Sequence, residues 1–345
     1  LSGEPVQSLT LLGPRDLAWR DRPAPRLSAP LDALVRPIAS AACDLDRRLV
    51  TSPSPFEPPF ALGHEAVGEI VDLAEDDSPL RIGQRVVIPW HISCGTCENC
   101  RRALPGACVS VPRLASYGTT AGGHWGGLFD DLVRVPWARH NLTPLPSGVD
   151  PFLAASASDN LTDAFQAVRP TLTDRPGAEV LVVGGTASLG LLTALSAVAL
   201  GSAAVTYLDV DEQRCAAAAT AGAGVVTAEA YPDRLDGRFD LVVDASAATE
   251  GLRCALLSTR PGGTCVIRSV YFGEPRLPYF ALYGTGISIV IGPPHASPHV
   301  PDVLQLIGDG ALDPAPALAG PFDYADAVEV LLDPPSGKPV FTHGS

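Results

Sequence analysis

The sequence predicts a two-part α/β protein: a β-rich portion joined to a doubly wound, mostly parallel sheet. Three observations carry this expectation. Up to about residue 150 the apolar runs are short and broken by Pro and Gly. Beyond residue 152 strand-like and helix-like segments alternate, the pattern of a parallel sheet with helical crossovers. Between them in character stands VLVVGGTASLG (180–190), an apolar strand running into a Gly-rich turn and a helix. A chain of 345 residues exceeds one ordinary core, so two domains are expected.

In chain order, ALGHEAVGEIVDL (61–73) is a turn followed by a strand, and RIGQRVVIPW (81–90) is a strand entered through a Gly turn. LFDDLVRVP (128–136) alternates apolar and polar residues. LAASASDNLTDAFQAV (153–168) reads as the opening helix of the second domain. EVLVVGG (179–185), AAVTYLDVD (203–211), 224–228, FDLVVDAS (239–246) and GTCVIRSV (263–270) read as strands. Helices are expected over 189–200, 212–221 and 249–258, and later over 302–308 and 323–332 before a last strand PVFT (339–342). The expected division is 1–152 with 293–345 for the β-rich domain and 153–292 for the parallel-sheet domain.

The formal charge is −14, and basic residues form no cluster. That argues against nucleic-acid partners and against anionic membranes, leaving a small molecule as the expected ligand. No apolar run reaches the roughly 18 residues of a membrane span. The opening LSGEPVQSLTLLGPRD has no basic stretch followed by an apolar one, so a cytoplasmic protein is expected. Arginine is used almost to the exclusion of lysine, with abundant Ala and Pro, as in a GC-rich, bacterial coding bias; the sole lysine is Lys338.

Half of the eight cysteines fall in CGTCENCRRALPGAC, at positions 94, 97, 100 and 108. A disulfide knot and a zinc site both suit this density. A reducing compartment disfavours the knot. Thiolates two residues apart can grip one tetrahedral ion from a single loop, and four of them fill its shell. Cys94, Cys97, Cys100 and Cys108, in a lobe over 91–110, are therefore expected to bind a structural zinc. Cys215, Cys254 and Cys265 lie in apolar surroundings and read as core residues.

Gly185-x-Ala187-x-x-Gly190 fits the Rossmann fingerprint. The first glycine makes the tight turn, a small second residue lets the backbone approach a pyrophosphate, and the third lets helix and strand pack closely. The helix N-terminus then faces the phosphates with free N–H groups. Asp209 ends the next strand, where a carboxylate binds ribose hydroxyls and repels a 2′-phosphate. NAD is therefore expected over NADP.

Cys43-x-x-Asp46, GHEAVGEIV from Gly63, the four-cysteine lobe, the Gly-rich turn and Asp209, taken in this order over nearly the whole length, resemble the zinc-dependent medium-chain alcohol dehydrogenase family. The resemblance implies a GroES-like catalytic domain before a Rossmann coenzyme domain, and two zinc ions per chain. It implies that Cys43 and His64 bind a catalytic zinc, with Glu65 beside it and Asp46 behind His64. The third ligand in the family lies at the start of the first helix after the β-rich domain; Asp159 stands there as the carboxylate does in the formaldehyde-dehydrogenase-like branch, with Ser158 and Asp163 as alternatives. Trp90 would line the substrate pocket, and Lys338 would reach the pyrophosphate. Coenzyme domains of the family pair through edge strands, which points to VIRSV (266–270) and GISIVIG (286–292) and to a homodimer or homotetramer.

One departure stands out. The family carries Ser or Thr two residues past the zinc cysteine as a proton relay, where this chain has Leu45, and Arg48 stands near the place of the relay histidine. Ser40, His91 and Asp163 are the candidate substitutes. The implied activity is hydride transfer between NAD(H) and an alcohol or carbonyl compound held at zinc. The alternatives are an NAD(P)H-dependent reductase of C=C or C=N bonds and a non-catalytic nucleotide binder. Apolar and Pro-rich loops over 43–60, 90–93 and 116–125 favour a substrate with an apolar part.

Overall fold

A computed structural model of the chain describes residues 4–75, 77–237 and 239–343. They form two compact units. One takes in the chain up to Thr162, His295–Asp309 and the segment from Ala319 on; the other takes in Asp163–Pro294 and Gly310–Leu318. The strands before residue 150 are β1 (Val6–Gly13), β2 (Asp16–Arg22), β3 (Ala33–Ala41), β4 (Phe60–Ala61), β5 (Glu65–Leu73), β6 (Arg85–Ile88), β7 (Val133–Val135) and β8 (Thr143–Pro144). Then come β9 (Glu179–Val183), β10 (Ala204–Asp209), β11 (Gly224–Thr227), β12 (Phe239–Asp244), β13 (Thr259–Ile267) and β14 (Ser288–Ile291). β15 (Leu318–Asp323) and β16 (Lys338–Thr342) end the series.

In the first unit β1, β2 and β4 form a small antiparallel sheet, and a larger one runs β15-β16-β3-β5-β6-β8 with β7 beside β3. Strands β3 and β5 are long and pair antiparallel through two register shifts. Val35 of β3, Val67 and Ile70 of β5, and Val86 and Ile88 of the neighbouring β6 are fully buried. What matters for function is the register at one end. Ala41 lies opposite Glu65 on one side and opposite Val340 on the other. The chain therefore delivers Cys43, the His64-Glu65 pair and Lys338 to one place from three neighbouring strands.

The second unit is built on a sheet ordered β11-β10-β9-β12-β13-β14, and its strand pairs are parallel. Chain order reverses between β9 and β12, the switch point at which such sheets open a crevice for ligand. β9 lies in the middle with both faces covered, and the four residues Val180–Val183 are buried, which explains an apolar run without alternation. The helix Leu189–Ala199 is buried on nearly every side up to Ala197, consistent with its small and apolar residues.

Several elements differ from expectation: 323–332 holds a 3-10 turn Tyr324–Asp326 and a helix Ala327–Leu332, and 128–136 holds only the short β7. The stretch 153–168 is not one helix. A short turn Pro151–Ala154 and a 3-10 segment Ala155–Ser158 end at Asp159, which leaves helical conformation (φ −151°, ψ −86°) before the helix Asn160–Asp174 begins. The Ser158 hydroxyl donates to the Ala66 carbonyl and accepts from the Ala66 N–H, so β5 holds the chain where a helix would have continued. The strand expected over 263–270 starts earlier, at Thr259, and stops at Ile267. Among the described residues no helix is long and apolar enough to cross a membrane.

Candidate active site

Cys43 follows β3 and caps the helix Asp44–Thr51. Its Sγ accepts from the Leu45 N–H, while the Asp46 carboxylate accepts from the Cys43 N–H at 2.9 Å. His64 and Glu65 open β5, and Asp159 sits at the break just described. The structure brings the Cys43, His64 and Asp159 donor atoms within 4.8 Å of one another, all buried. Cys43 Sγ is 3.3 Å and His64 Nε2 is 3.5 Å from Asp159 Oδ2. Around a tetrahedral zinc with bonds of about 2.0–2.3 Å, ligand atoms stand roughly 3.3–3.5 Å apart, so the donor set and its spacing fit that ion. Asp46 Oδ1 lies 3.4 Å from His64 Nδ1, the arrangement by which a carboxylate turns an imidazole toward a metal.

The electrostatics agree. Burial pushes the Cys43 thiol up to about 12, with Asp159 adding to it. Burial opposes a charge on His64 as well, yet Asp46 and Cys43 together raise its pKa well above the ordinary value. The Cys43 thiol, so raised, stays protonated by itself, and a bound divalent ion would release that proton and offset the charges of Cys43 and Asp159 together.

Glu65 and Lys338 stand behind this triad. Lys338 is fully buried, and its Nζ donates to Glu65 Oε2 (2.6 Å), Asn160 Oδ1 (2.8 Å) and the Ala42 carbonyl (3.1 Å). All three donors are used inside the first unit, so the expectation that Lys338 reaches the pyrophosphate is corrected: β16 carries it inward beside β3. Asn160, which the sequence reading did not single out, donates from Nδ2 to Cys43 Sγ (3.3 Å) and Asp159 Oδ2 (3.0 Å), and from its backbone N–H to Glu65 Oε1 (2.8 Å). Glu65 thus has a partner on each oxygen and braces the triad. Burial still pushes its carboxyl up to about 7, against the pull of Lys338.

The relay candidates are placed as follows. The buried Ser40 hydroxyl donates to the Leu128 carbonyl and sits 2.7 Å from the Tyr324 hydroxyl. Asp163 pairs with Arg268 at 3.0 Å, and Ser158 is tied to Ala66. His91 is buried; its Nε2 lies 3.2 Å from the Ser297 hydroxyl, and its Nδ1 has no hydrogen-bond partner. Burial, with His140 and His295 nearby, lowers its pKa to about 3, so it is neutral. Leu45 leans on the core cluster around Leu49 and Phe60. Trp90 packs edge-on against His91, and its backbone N–H donates to the Ser158 carbonyl.

The four sulfurs of Cys94, Cys97, Cys100 and Cys108 also lie within 4.8 Å of one another. The Cys97–Cys108 separation is 3.8 Å, the edge of a tetrahedron with Zn–S bonds of about 2.3 Å. Backbone N–H groups of Thr96 and Cys97 donate to Cys94 Sγ, and that of Cys94 donates to Cys108 Sγ. Burial would raise the Cys94 thiol, but donors from Ser110, Thr96 and Cys97 outweigh it and bring it to about 5. Backbone donors lower the Cys97 thiol as well, whereas burial and the neighbouring thiols raise that of Cys100.

In the second unit the turn after β9 fits a diphosphate. Gly185 has φ +151°, and a Cβ there would come 2.5 Å from the Ser246 carbonyl oxygen, so only glycine serves. Ser188 leads into the helix Leu189–Ala199 without a side-chain cap. The Thr186 Oγ1 is buried in the same turn without a partner. Ala187 and Gly190 are buried, and Asp209 closes β10 with no exposed surface.

Residues 29–147 match the alcohol dehydrogenase GroES-like domain family. D-altritol 5-dehydrogenase of Agrobacterium fabrum is 30% identical over 255 residues, covering 72% of this chain and 72% of that protein. A Mycobacterium tuberculosis protein named as a probable zinc-binding alcohol dehydrogenase is 28% identical over 313 residues, 89% of this chain and 80% of that one. Among solved structures, alcohol dehydrogenase TADH from Thermus sp. ATN1 matches with a TM-score of 0.87 at 29% identity, covering 98% of this chain and 100% of that one.

Proposed function

This chain belongs to the zinc-dependent medium-chain alcohol dehydrogenase family, and from that premise we propose that it transfers hydride between NAD(H) and an alcohol or carbonyl compound held at Cys43, His64 and Asp159. The observation that carries this reading is the buried three-donor cluster: three protein ligands leave one place of a tetrahedral shell open to substrate, whereas the four-cysteine lobe leaves none. When bound, zinc supplies Lewis-acid polarisation of the substrate oxygen and the nicotinamide supplies the hydride carrier. The chain's own residues orient and hold. Asp46 fixes the His64 imidazole and the Cys43 backbone, Asn160 steadies Cys43 Sγ and Asp159, and Lys338 with Glu65 fixes Asn160. Free cysteines throughout support a reducing, cytoplasmic setting.

A second reading, reduction of C=C or C=N bonds, is favoured by Leu45, which offers no hydroxyl and packs into the core. A panel of alcohols, aldehydes, enones and imines, followed by nicotinamide absorbance, separates the two. Turnover of alcohols or aldehydes with NAD(H) is expected; turnover confined to enones or imines would replace the first reading by the second. In the same assay Asp209→Gly is expected to weaken NAD and to improve NADP relative to it, because the ribose partner and the repelling charge go together. Wild type that already prefers NADP contradicts the role given to Asp209.

The assembly follows from β14. It is an edge strand whose four residues are exposed, with Ile291 at 72%. Tyr279, Phe280 and Tyr283, on the preceding helix Tyr279–Thr285, are exposed as well. An open apolar strand edge invites a second copy, and a two-fold axis lets the same edge serve both chains. Light scattering at micromolar concentration is expected to give a dimer or tetramer, and Ile291→Lys a smaller species. A wild-type monomer contradicts the pairing.

A further inference from the structure

The Asp209 carboxylate is already saturated. Its Oδ2 accepts from the Tyr207 hydroxyl at 2.7 Å and from Arg214 Nε at 2.8 Å. Its Oδ1 accepts from the Val210 N–H (2.7 Å), the Asp211 N–H (3.1 Å) and Arg214 Nη2 (2.8 Å). An ionised carboxylate has about four acceptor sites. A ribose diol brings further donors, so at least one present donor has to give way.

The five differ in their freedom to leave. Two are backbone groups at the end of β10. Tyr207 is locked: its ring has no exposed surface, and its hydroxyl lies under the Gly-rich turn. A Cβ on Gly184 would come 2.3 Å from the Tyr207 oxygen, and one on Gly190 would come 3.3 Å from its ring. Both glycines leave the space that this side chain fills. Arg214 is different, with a long flexible arm from the first turn of the helix Glu212–Thr220 and a side chain still 15% exposed. It is the donor that can swing out.

We propose that Tyr207 is a positioning residue for coenzyme choice: its hydroxyl keeps Asp209 aimed at the adenosine ribose when Arg214 gives way, and so favours NAD over NADP. The inference rests on the nucleotide reading of the Gly-rich turn given above. Without the hydroxyl, Oδ2 loses its fixed donor and only the backbone bonds to Oδ1 remain, so the carboxylate can turn with Arg214 and the ribose loses an oriented acceptor. A 2′-phosphate needs no such acceptor, and a released guanidinium suits it.

The test is calorimetric binding of NAD and of NADP to the full-length wild type, Tyr207→Phe, Asp209→Gly and the double variant. Tyr207→Phe keeps the ring that packs under the turn. Its Kd for NAD is expected to rise about tenfold, about 1.4 kcal/mol, while its Kd for NADP stays within about twofold of wild type or falls. On the Asp209→Gly background the same substitution is expected to change neither Kd. A ring that merely packs would give equal losses for both nucleotides, and these would persist without Asp209. That outcome overturns the proposal and leaves the nucleotide reading in place. Wild type that binds neither nucleotide overturns both.

Discussion

Cys43→Ala is expected to lower the zinc content of the purified protein from two ions per chain to one and to remove nearly all hydride transfer. The two clusters of donor atoms are separate, each complete in itself, and Cys43 belongs only to the one with an open position. Polarisation of a substrate oxygen by a metal is worth several kcal/mol. At about 1.4 kcal/mol per decade of rate, kcat/KM falls by roughly a thousandfold or more. Cys97→Ser serves as the control. It also removes one ion, but from the lobe, so its signature is a lower melting temperature with turnover retained by the molecules that stay folded. Asn160→Ala takes away the donor that steadies Cys43 and Asp159, along with an acceptor of Lys338, and a ten- to hundredfold loss of metal affinity is expected. Elemental analysis beside steady-state kinetics reads all three. A Cys43→Ala protein that keeps two ions, or a wild type with a single ion lost only through Cys97, would remove the assignment of Cys43.

What the sequence made legible was local. The lobe announces itself because its four thiols lie within fifteen residues and one loop can gather them. The sheet of the second unit is readable because β9 is apolar on both faces and leads straight into Gly185, whose φ of +151° only glycine takes readily. The details that escaped are products of long-range register. Lys338 is bonded to groups 273 and 178 residues away, and nothing beside it in GKPVFT says that β16 will turn it inward next to β3. The one hint was compositional: a chain that uses arginine everywhere else keeps a single lysine, and a compact ammonium is the cation that fits a fully enclosed site.

The break at Asp159 escaped for a similar reason. LAASASDNLTDAFQAV has the composition of a helix, and only the bonds from Ser158 to Ala66 of β5 show that tertiary contacts override that preference. Leu45 shows how sequence distance misleads in the other direction. It lies two residues from Cys43, but those residues start a helix, and each step rotates the side chain by about 100°. With Leu49 four residues on, Leu45 falls on the face that packs against Phe60 and Tyr324.

Lys338→Met is expected to destabilise the protein by about 3–5 kcal/mol near pH 8, the usual consequence of leaving a buried charge without its partner. The partner left behind is Glu65, fully buried, which keeps only the Asn160 N–H and a long contact from Ser156. The loss depends on pH in a definite sense. Burial pushes the Glu65 carboxyl up to about 7 even while Lys338 pulls it down, so removing the lysine moves it higher still. An unfolded glutamate titrates near 4.3. Between that value and the raised one, the folded variant holds a proton that the unfolded chain has released, so stability falls as pH rises through this window. The wild-type carboxyl already titrates near 7, so the extra deficit of the variant opens above that value, and urea unfolding is expected to show a modest deficit at about pH 5.5 and a larger one at about pH 8. Adding Glu65→Gln to Lys338→Met removes the stranded charge and recovers most of the loss. Metal affinity falls as well, because Asn160 loses the donor that fixes its amide and with it the hold on Cys43 and Asp159. Affinity for NAD in the folded variant stays within about twofold of wild type, since every Lys338 donor is spent inside the first unit. A variant of unchanged stability that binds NAD poorly would reverse this argument and return Lys338 to the pyrophosphate.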